Sequence, residues 1–100
     1  MDIRVLLADD HKIVRDGLRT LLEKHPEIKV AAEAEDGRSA VQLAKKLLPQ
    51  IVIIDIAMPD LNGIEATRQI LAENPDIKVI ALSMHSDRRF VSEMLKAGAH

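Results

Sequence analysis

The stretch Ile51–Asp60, IVIIDIAMPD, decides the fold expected of this chain. Its first four residues are branched and apolar, which is typical of a strand covered on both faces in a parallel sheet. Asp55 interrupts this run between Ile54 and Ile56. A carboxylate inside a strand is rarely structural unless a base pairs with it, because burying its charge costs free energy. We therefore expect Asp55 to have a chemical function.

Three other runs resemble this one, and helical patterns separate them. The four predicted strands are Ile3–Ala8, Ile28–Ala34, Ile51–Ile56 and Ile77–Ser83. Apolar residues between them recur at i, i+4, i+7 and i+8, as in Val14, Leu18, Leu21 and Leu22, which is typical of amphipathic helices. A fourth helical pattern follows the last strand, with Phe90, Val91, Met94 and Leu95.

The ends of these helices have recognisable signals. Asp10, Asp36 and Ser86 or Asp87 are expected to cap helix starts, and Pro26, Pro49 and Pro75 to follow helix ends. The order βαβαβαβα then predicts parallel strands with right-handed crossovers. The fold class is an open doubly wound α/β sheet, in which the alternating strand Ile28–Ala34 lies at an edge.

Composition excludes several classes of protein. The chain has 100 residues, 14 basic and 16 acidic side chains, and a formal charge of -2, so we expect no nucleic-acid binding by this segment. It has no cysteine, which excludes disulfides and thiolate metal sites. The N-terminus does not resemble a signal peptide, and no apolar run approaches the about 18 residues of a membrane span. We expect a soluble protein of the cytoplasm.

The acidic residues converge on one rim of the predicted sheet. Asp9 and Asp10 follow the first strand, and Asp55 lies near the end of the third. Parallel strands open their carboxyl ends on the same side, where ligands bind. Three close carboxylates repel one another, and a divalent cation with oxygen ligands, above all Mg²⁺, would relieve this repulsion. Two plainer interpretations stay open: Asp10 as a helix cap and Asp9 as a turn residue.

Carboxylates around Mg²⁺ have two uses in phosphate chemistry. They hold the ion for phosphate hydrolysis, or one of them attacks phosphorus and becomes phosphorylated. Ser83 ends the fourth strand on the same rim, where its hydroxyl can donate to a phosphate oxygen on Asp55. On its own, a serine at a strand end is equally well explained as a turn residue.

At this point the sequence resembles a family, the receiver domains of two-component response regulators of the NarL/LuxR type. The resemblance covers the whole chain. It rests on four segments, VLLADDHKIVRDGLRTLLE (Val5–Glu23), IVIIDIAMPDLNGIEATRQI (Ile51–Ile70), KVIALSMHSD (Lys78–Asp87) and MLKAGAH (Met94–His100). It implies a flavodoxin-like, CheY-like sheet in the order 2-1-3-4.

The resemblance also implies roles for particular residues. Asp55 would be the phosphoacceptor, and the donor would be a sensor histidine kinase or a small molecule such as acetyl phosphate. Asp10, Asp55 and the backbone carbonyl of Ala57 would ligate Mg²⁺, with Asp9 acting mostly through water. Ser83 would be the switch hydroxyl. Met58, Pro59 and Gly63 would shape the loop over the site, and Ala57 and His85 occupy positions that tune autodephosphorylation in the family.

Receiver domains usually continue with a fifth strand and a fifth helix, including a lysine that pairs with the phosphate. We therefore expect the 100 residues to be a C-terminally truncated receiver domain whose parent protein carries a helix-turn-helix DNA-binding domain. An exposed edge beside the fourth strand would favour a homodimer or another edge-associated oligomer.

Two other functions compete with the phosphorylated switch. One is an aspartyl-phosphate phosphatase of the haloacid dehalogenase kind, but Ala57 stands where those enzymes need a second aspartate. The other is a pseudo-receiver or interaction module without phosphotransfer, which the missing lysine keeps open. On the favoured interpretation the chain is a switch domain and not an enzyme.

Overall fold

The computed structural model describes residues 2–56, 58 and 61–82. Within them, strands and helices alternate as predicted. The elements are β1 (Ile3–Ala8), α1 (Lys12–Leu22), β2 (Ile28–Ala34), α2 (Gly37–Leu47), β3 (Ile51–Asp55), α3 (Gly63–Glu73) and β4 (Lys78–Leu82). None of the helices in this part of the chain combines the length and apolar character needed to cross a bilayer.

The four strands form one parallel sheet in the order β2-β1-β3-β4. The predicted fold class, strand order and edge position of β2 are thereby confirmed. The bounds of β1 and β2 match the prediction, whereas β3 ends at Asp55, one residue before the predicted Ile56. The predicted strand end Ser83, the fourth helix and its proposed caps Ser86 and Asp87 lie outside the described residues.

Side chains of alternate residues enter two separate cores, one on each face of the sheet. Leu6 and Val52 pack on the face covered by α2 and α3, beside small residues such as Ala40 and Ala66. On the opposite face, the core contains Val5, Leu7, Val30 and Ile53, against which Leu18 and Leu22 of α1 pack. The sheet is therefore covered on both faces, as the continuous apolar strands predicted.

The helix starts agree with the prediction in one case and contradict it in another. Asp36 caps α2, because its Oδ1 accepts a hydrogen bond from the Ser39 amide at 2.8 Å. The prediction that Asp10 caps α1 is wrong: the capping position is His11, which makes no side-chain capping bond. The carboxylate that shapes the start of the helix belongs to Asp9, the residue before Asp10. Asp9 accepts a hydrogen bond from the His11 amide at 2.8 Å, so its carboxylate forms the turn that leads into the helix.

Candidate functional site

The site lies at the carboxyl edge of the two central strands. β1 and β3 pair with Ala8 opposite Ile54, so the next residues, Asp9 and Asp55, lie at the same level of the sheet's carboxyl edge. Asp55 is the last residue of β3 and follows Ile53 on the α1 face of the sheet. Strand register alone therefore brings the two carboxylates together, as the sequence predicted from topology.

Four side chains meet at this edge. Asp9, Asp10, His11 and Asp55 each offer one ligand atom, and these atoms all lie within 4.8 Å of one another. Asp9 and Asp55 are both only 5% exposed, whereas Asp10 and His11 face solvent. Negative charge is thus concentrated at a place where water screens it incompletely, which favours the binding of a cation.

Asp9 is fixed on three sides. Its amide donates to the carbonyl of Ala34 in β2 at 3.0 Å, and its Oδ1 accepts from the His11 amide. Its own carbonyl accepts a hydrogen bond from Nη1 of Arg15 at 2.6 Å. The loop between β1 and α1 is therefore tied to the sheet on one side and to the helix on the other.

The His11 ring reaches both acidic neighbours. Its Nδ1 lies 3.2 Å from Oδ1 of Asp9 and 3.0 Å from Oδ1 of Asp10. Which of these contacts is a donated hydrogen bond depends on the ring's tautomer and protonation. The ring joins the exposed and the buried carboxylate on the solvent side of the cluster.

α3 begins directly against the backbone of Asp55. The Gly63 amide donates to the carbonyl of Ile56 at 2.9 Å. A methyl group at Gly63 would collide with the carbonyl oxygen of Asp55 and lie 2.7 Å from the Ile56 Cα. Since Asn62 caps this helix through the Glu65 amide at 3.0 Å, the start of α3 is fixed where it supports the end of β3.

The donor set fits magnesium. Asp9, Asp10 and Asp55 supply carboxylate oxygens at the distances at which one ion can be shared, and oxygen is the ligand that Mg²⁺ prefers. The ring nitrogen of His11 is less suited to Mg²⁺ than a carboxylate oxygen. In this structure it contacts the carboxylates of Asp9 and Asp10. Two further predicted site residues, Ala57 and Ser83, lie outside the described residues, as does His85.

Sequence reasoning missed two residues at this edge. His11 is not among the site residues predicted from the sequence, yet it lies inside the acidic cluster. Arg15 is likewise not among the predicted site residues, yet it is only 6% exposed and contacts the Asp9 backbone. The adjacency of His11 to the acidic pair was a usable signal, whereas the direction of the Arg15 side chain was not readable from periodicity.

A doubly wound α/β fold with carboxylates at the edge of its central strands is common to a broad class of proteins. Comparison with known proteins identifies the family within this class. The sequence matches the family described as the response regulator receiver domain over residues 5–100. It is 43% identical over 97 residues to the transcriptional regulatory protein DegU of Brevibacillus brevis, covering 97% of this chain and 41% of that protein. For the transcriptional regulatory protein LiaR of Bacillus subtilis strain 168 the identity is 46% over 97 residues, with 97% and 46% covered.

A solved structure agrees with these relatives. The two-component response regulator of the LuxR family from Aurantimonas sp. SI85-9A1 superposes with a TM-score of 0.93 at 38% identity, covering 99% of this chain and 71% of that one. This chain belongs to the response regulator receiver domain family. The predicted resemblance to receivers of the NarL/LuxR type is confirmed. The chain spans less than half the length of each of these two curated relatives.

Membership of this family defines a general function. Receiver domains are signalling switch domains of two-component systems rather than classical enzymes, and they partner with histidine kinases. They generally use Mg²⁺ at an acidic pocket, and in this chain Asp9, Asp10 and Asp55 form an acidic cluster.

Proposed function

We propose that this chain is a phosphoacceptor switch in which Asp55 takes a phosphoryl group from a sensor histidine kinase with the help of Mg²⁺. One observation carries the proposal. Carboxylates from two neighbouring strands converge within 4.8 Å at the carboxyl edge of the sheet, and the one that closes β3 is Asp55. An acidic group buried in this position costs free energy that a bound cation offsets.

The chemistry requires one displacement at phosphorus. A carboxylate oxygen of Asp55 attacks the phosphorus of a phosphohistidine or of acetyl phosphate. The new oxygen–phosphorus bond forms as the bond to the imidazole nitrogen or the acetate oxygen breaks, and the leaving group keeps the electron pair. A bound magnesium ion supplies positive charge to the carboxylates and the phosphoryl oxygens.

The family's pattern assigns the supporting roles. Asp10, Asp55 and the backbone carbonyl of Ala57 would hold the ion, and Asp9 would act mostly through water. Ser83 would donate its hydroxyl to a phosphoryl oxygen. The fixed backbone of Asp9, tied to Ala34 and to α1, supports this division, because it holds the buried carboxylate while leaving Asp10 at the surface.

Replacement of the phosphoacceptor tests the proposal. Incubation with acetyl phosphate and Mg²⁺ should add one phosphoryl group to the wild-type chain, seen by intact-mass spectrometry. Asp55→Asn should remove this addition, because an amide oxygen is a poor nucleophile. Asp16→Asn is the matched control, since Asp16 is an exposed carboxylate on α1 that pairs with Lys12 and lies outside the acidic cluster. Equal labelling of the wild type and Asp55→Asn would refute the assignment.

We also propose that the phosphorylated state controls transcription in a protein that carries this domain together with a DNA-binding domain. Support comes from the names of the relatives, which are transcriptional regulatory proteins more than twice as long as the matched segment. If the wild-type chain takes up no phosphoryl group in Mg²⁺, the remaining function is that of an interaction module without phosphotransfer.

A further inference from the structure

We infer that Arg15 is a positioning residue that orients the Asp9–Asp10 peptide for metal binding, an inference that rests on the proposed function. Arg15 is the buried cation nearest this site on α1, with 6% of its surface exposed. Its hydrogen bonds and ion pairs with other described residues go to Glu33, to Glu35 and to the backbone of Asp9, not to the side-chain carboxylates of Asp9 and Asp10. Its Nη1 donates instead to the backbone carbonyl of Asp9 at 2.6 Å.

The contacted carbonyl belongs to the peptide group that joins Asp9 to Asp10. A peptide group is planar, so fixing its oxygen also fixes the direction of the Asp10 amide and Cα. Asp10 itself is exposed, and its carboxylate is contacted by the ring of an exposed neighbour, His11. The orientation of the backbone is therefore what places the Asp10 carboxylate beside Asp55.

Arg15 is held in place by the edge strand. Its Nε donates to Oε1 of Glu33 at 3.0 Å, and its Nη2 lies 3.6 Å from Oε1 of Glu35. The planar guanidinium can make these contacts and the carbonyl bond at once, since its donors point in fixed directions. Glu33 also binds Arg19, whose pKa is raised by hydrogen bonds to Glu33 and then to Glu23.

Arg15 has two possible effects on metal binding, and they have opposite signs. A positive charge near the cluster repels Mg²⁺, so on Coulombic grounds alone its removal should tighten binding. Loss of the hydrogen bond to the Asp9 carbonyl should weaken binding, because the ligand is no longer oriented before the ion arrives. At this site the orientation of Asp10 outweighs the repulsion of Mg²⁺ by the Arg15 charge.

The test is a Mg²⁺ titration followed by the amide resonances of Asp10 and His11 in nuclear magnetic resonance spectra. Arg15→Gln should weaken binding about tenfold, the lower end of the effect of groups that orient metal ligands. Arg15→Lys keeps the charge but not the fork of donors, and should weaken binding about threefold. Arg19→Gln is the matched control: it breaks a contact with the same Glu33 but leaves the Asp9 carbonyl bond, and should bind within about twofold of wild type.

The outcomes separate the inference from the proposed function. Unchanged or tighter binding by the Arg15 variants, while the wild type binds Mg²⁺ saturably, overturns the inference alone. No saturable binding by the wild type overturns the proposed function and the inference with it. If Arg15→Gln does not fold, Arg15→Lys decides, and equal weakening by Arg19→Gln would assign the effect to general loss of the ion pairs with Glu33.

Discussion

At the scale of single residues, Asp55 is tolerated because it stands where the strand stops. Val52 and Ile54 enter the core under α2 and α3, and Ile53 enters the core under α1. Asp55, the next residue, is still 95% covered but already lies among other carboxylates at the sheet edge. The cost of a buried charge is thus accepted at the one end of the strand where a cation can approach it.

Gly63 has no room for a side chain at this place. Gly63→Ala should destabilise the fold by about 1–3 kcal/mol, because the added methyl group collides with the Asp55 backbone rather than with a flexible side chain. A shift of α3 or of the Asp55 backbone that relieves the collision disturbs the support of the end of β3, so Mg²⁺ affinity should fall as well. Urea unfolding and a Mg²⁺ titration measure the two effects.

Gly17 offers the matched control for this substitution. It lies inside α1, and a Cβ there meets no atom within 4 Å. Gly17→Ala should therefore stabilise the protein, by up to about 1 kcal/mol, since alanine favours a helix interior over glycine. A Gly63→Ala variant as stable as the wild type would contradict the steric account of the α3 start.

At the scale of elements, the start of α2 depends on one carboxylate. Asp36→Ala should lower the free energy of unfolding by about 1 kcal/mol, because the Ser39 amide loses its partner. Asp36→Asn should retain most of the stability, since asparagine caps equally well. Urea unfolding of both variants checks this, and an equal loss in both would mean that charge rather than capping stabilises the helix.

The elements themselves were largely predictable. Continuous apolar strands, proline after each described helix and the alternation of strand and helix predicted the parallel sheet and its edge strand β2. The start of α1 was not, because Asp10 was the expected cap, whereas the structure places His11 at the capping position and uses Asp9 in the preceding turn. Leu21 matched the apolar spacing of α1 but is 59% exposed. Helical spacing identifies the apolar face of a helix but does not show how much of that face is covered by other elements.

The acidic cluster was predictable because topology alone brings the ends of β1 and β3 together. Arg15 was not predictable, because a cation on a helix is ordinarily solvated. Its burial depends on Glu33 and on the Asp9 carbonyl, which come from two other parts of the chain. The predicted roles of Ala57 and Ser83 and the predicted edge association stay predictions, since they depend on residues outside the described part of the chain.

At the scale of the whole molecule, the acidic cluster lowers the stability of the metal-free protein and favours the binding of a cation. The carboxylates of Asp9, Asp10 and Asp55 lie within 4.8 Å, so their repulsion opposes folding when no cation is bound. The two cores on either side of the sheet hold these groups together in spite of it. A ligand that binds only the folded state raises the free energy of unfolding with the logarithm of its concentration once that concentration exceeds its dissociation constant.

Mg²⁺ should accordingly stabilise the wild-type protein against urea, by about 1.4 kcal/mol when the ion is at ten times its dissociation constant. Asp10→Asn should raise stability without metal, because one of the three repelling charges is gone, and should lose most of the stabilisation by Mg²⁺. Asp16→Asn, on the exposed side of α1, should respond to Mg²⁺ as the wild type does. Urea titrations in Ca²⁺-free buffer, with and without Mg²⁺, measure the free energy of unfolding of all three proteins. An Asp10→Asn variant that gains as much from Mg²⁺ as the wild type would show that the ion stabilises the fold without using the cluster, and the proposed metal site would then have to lie elsewhere.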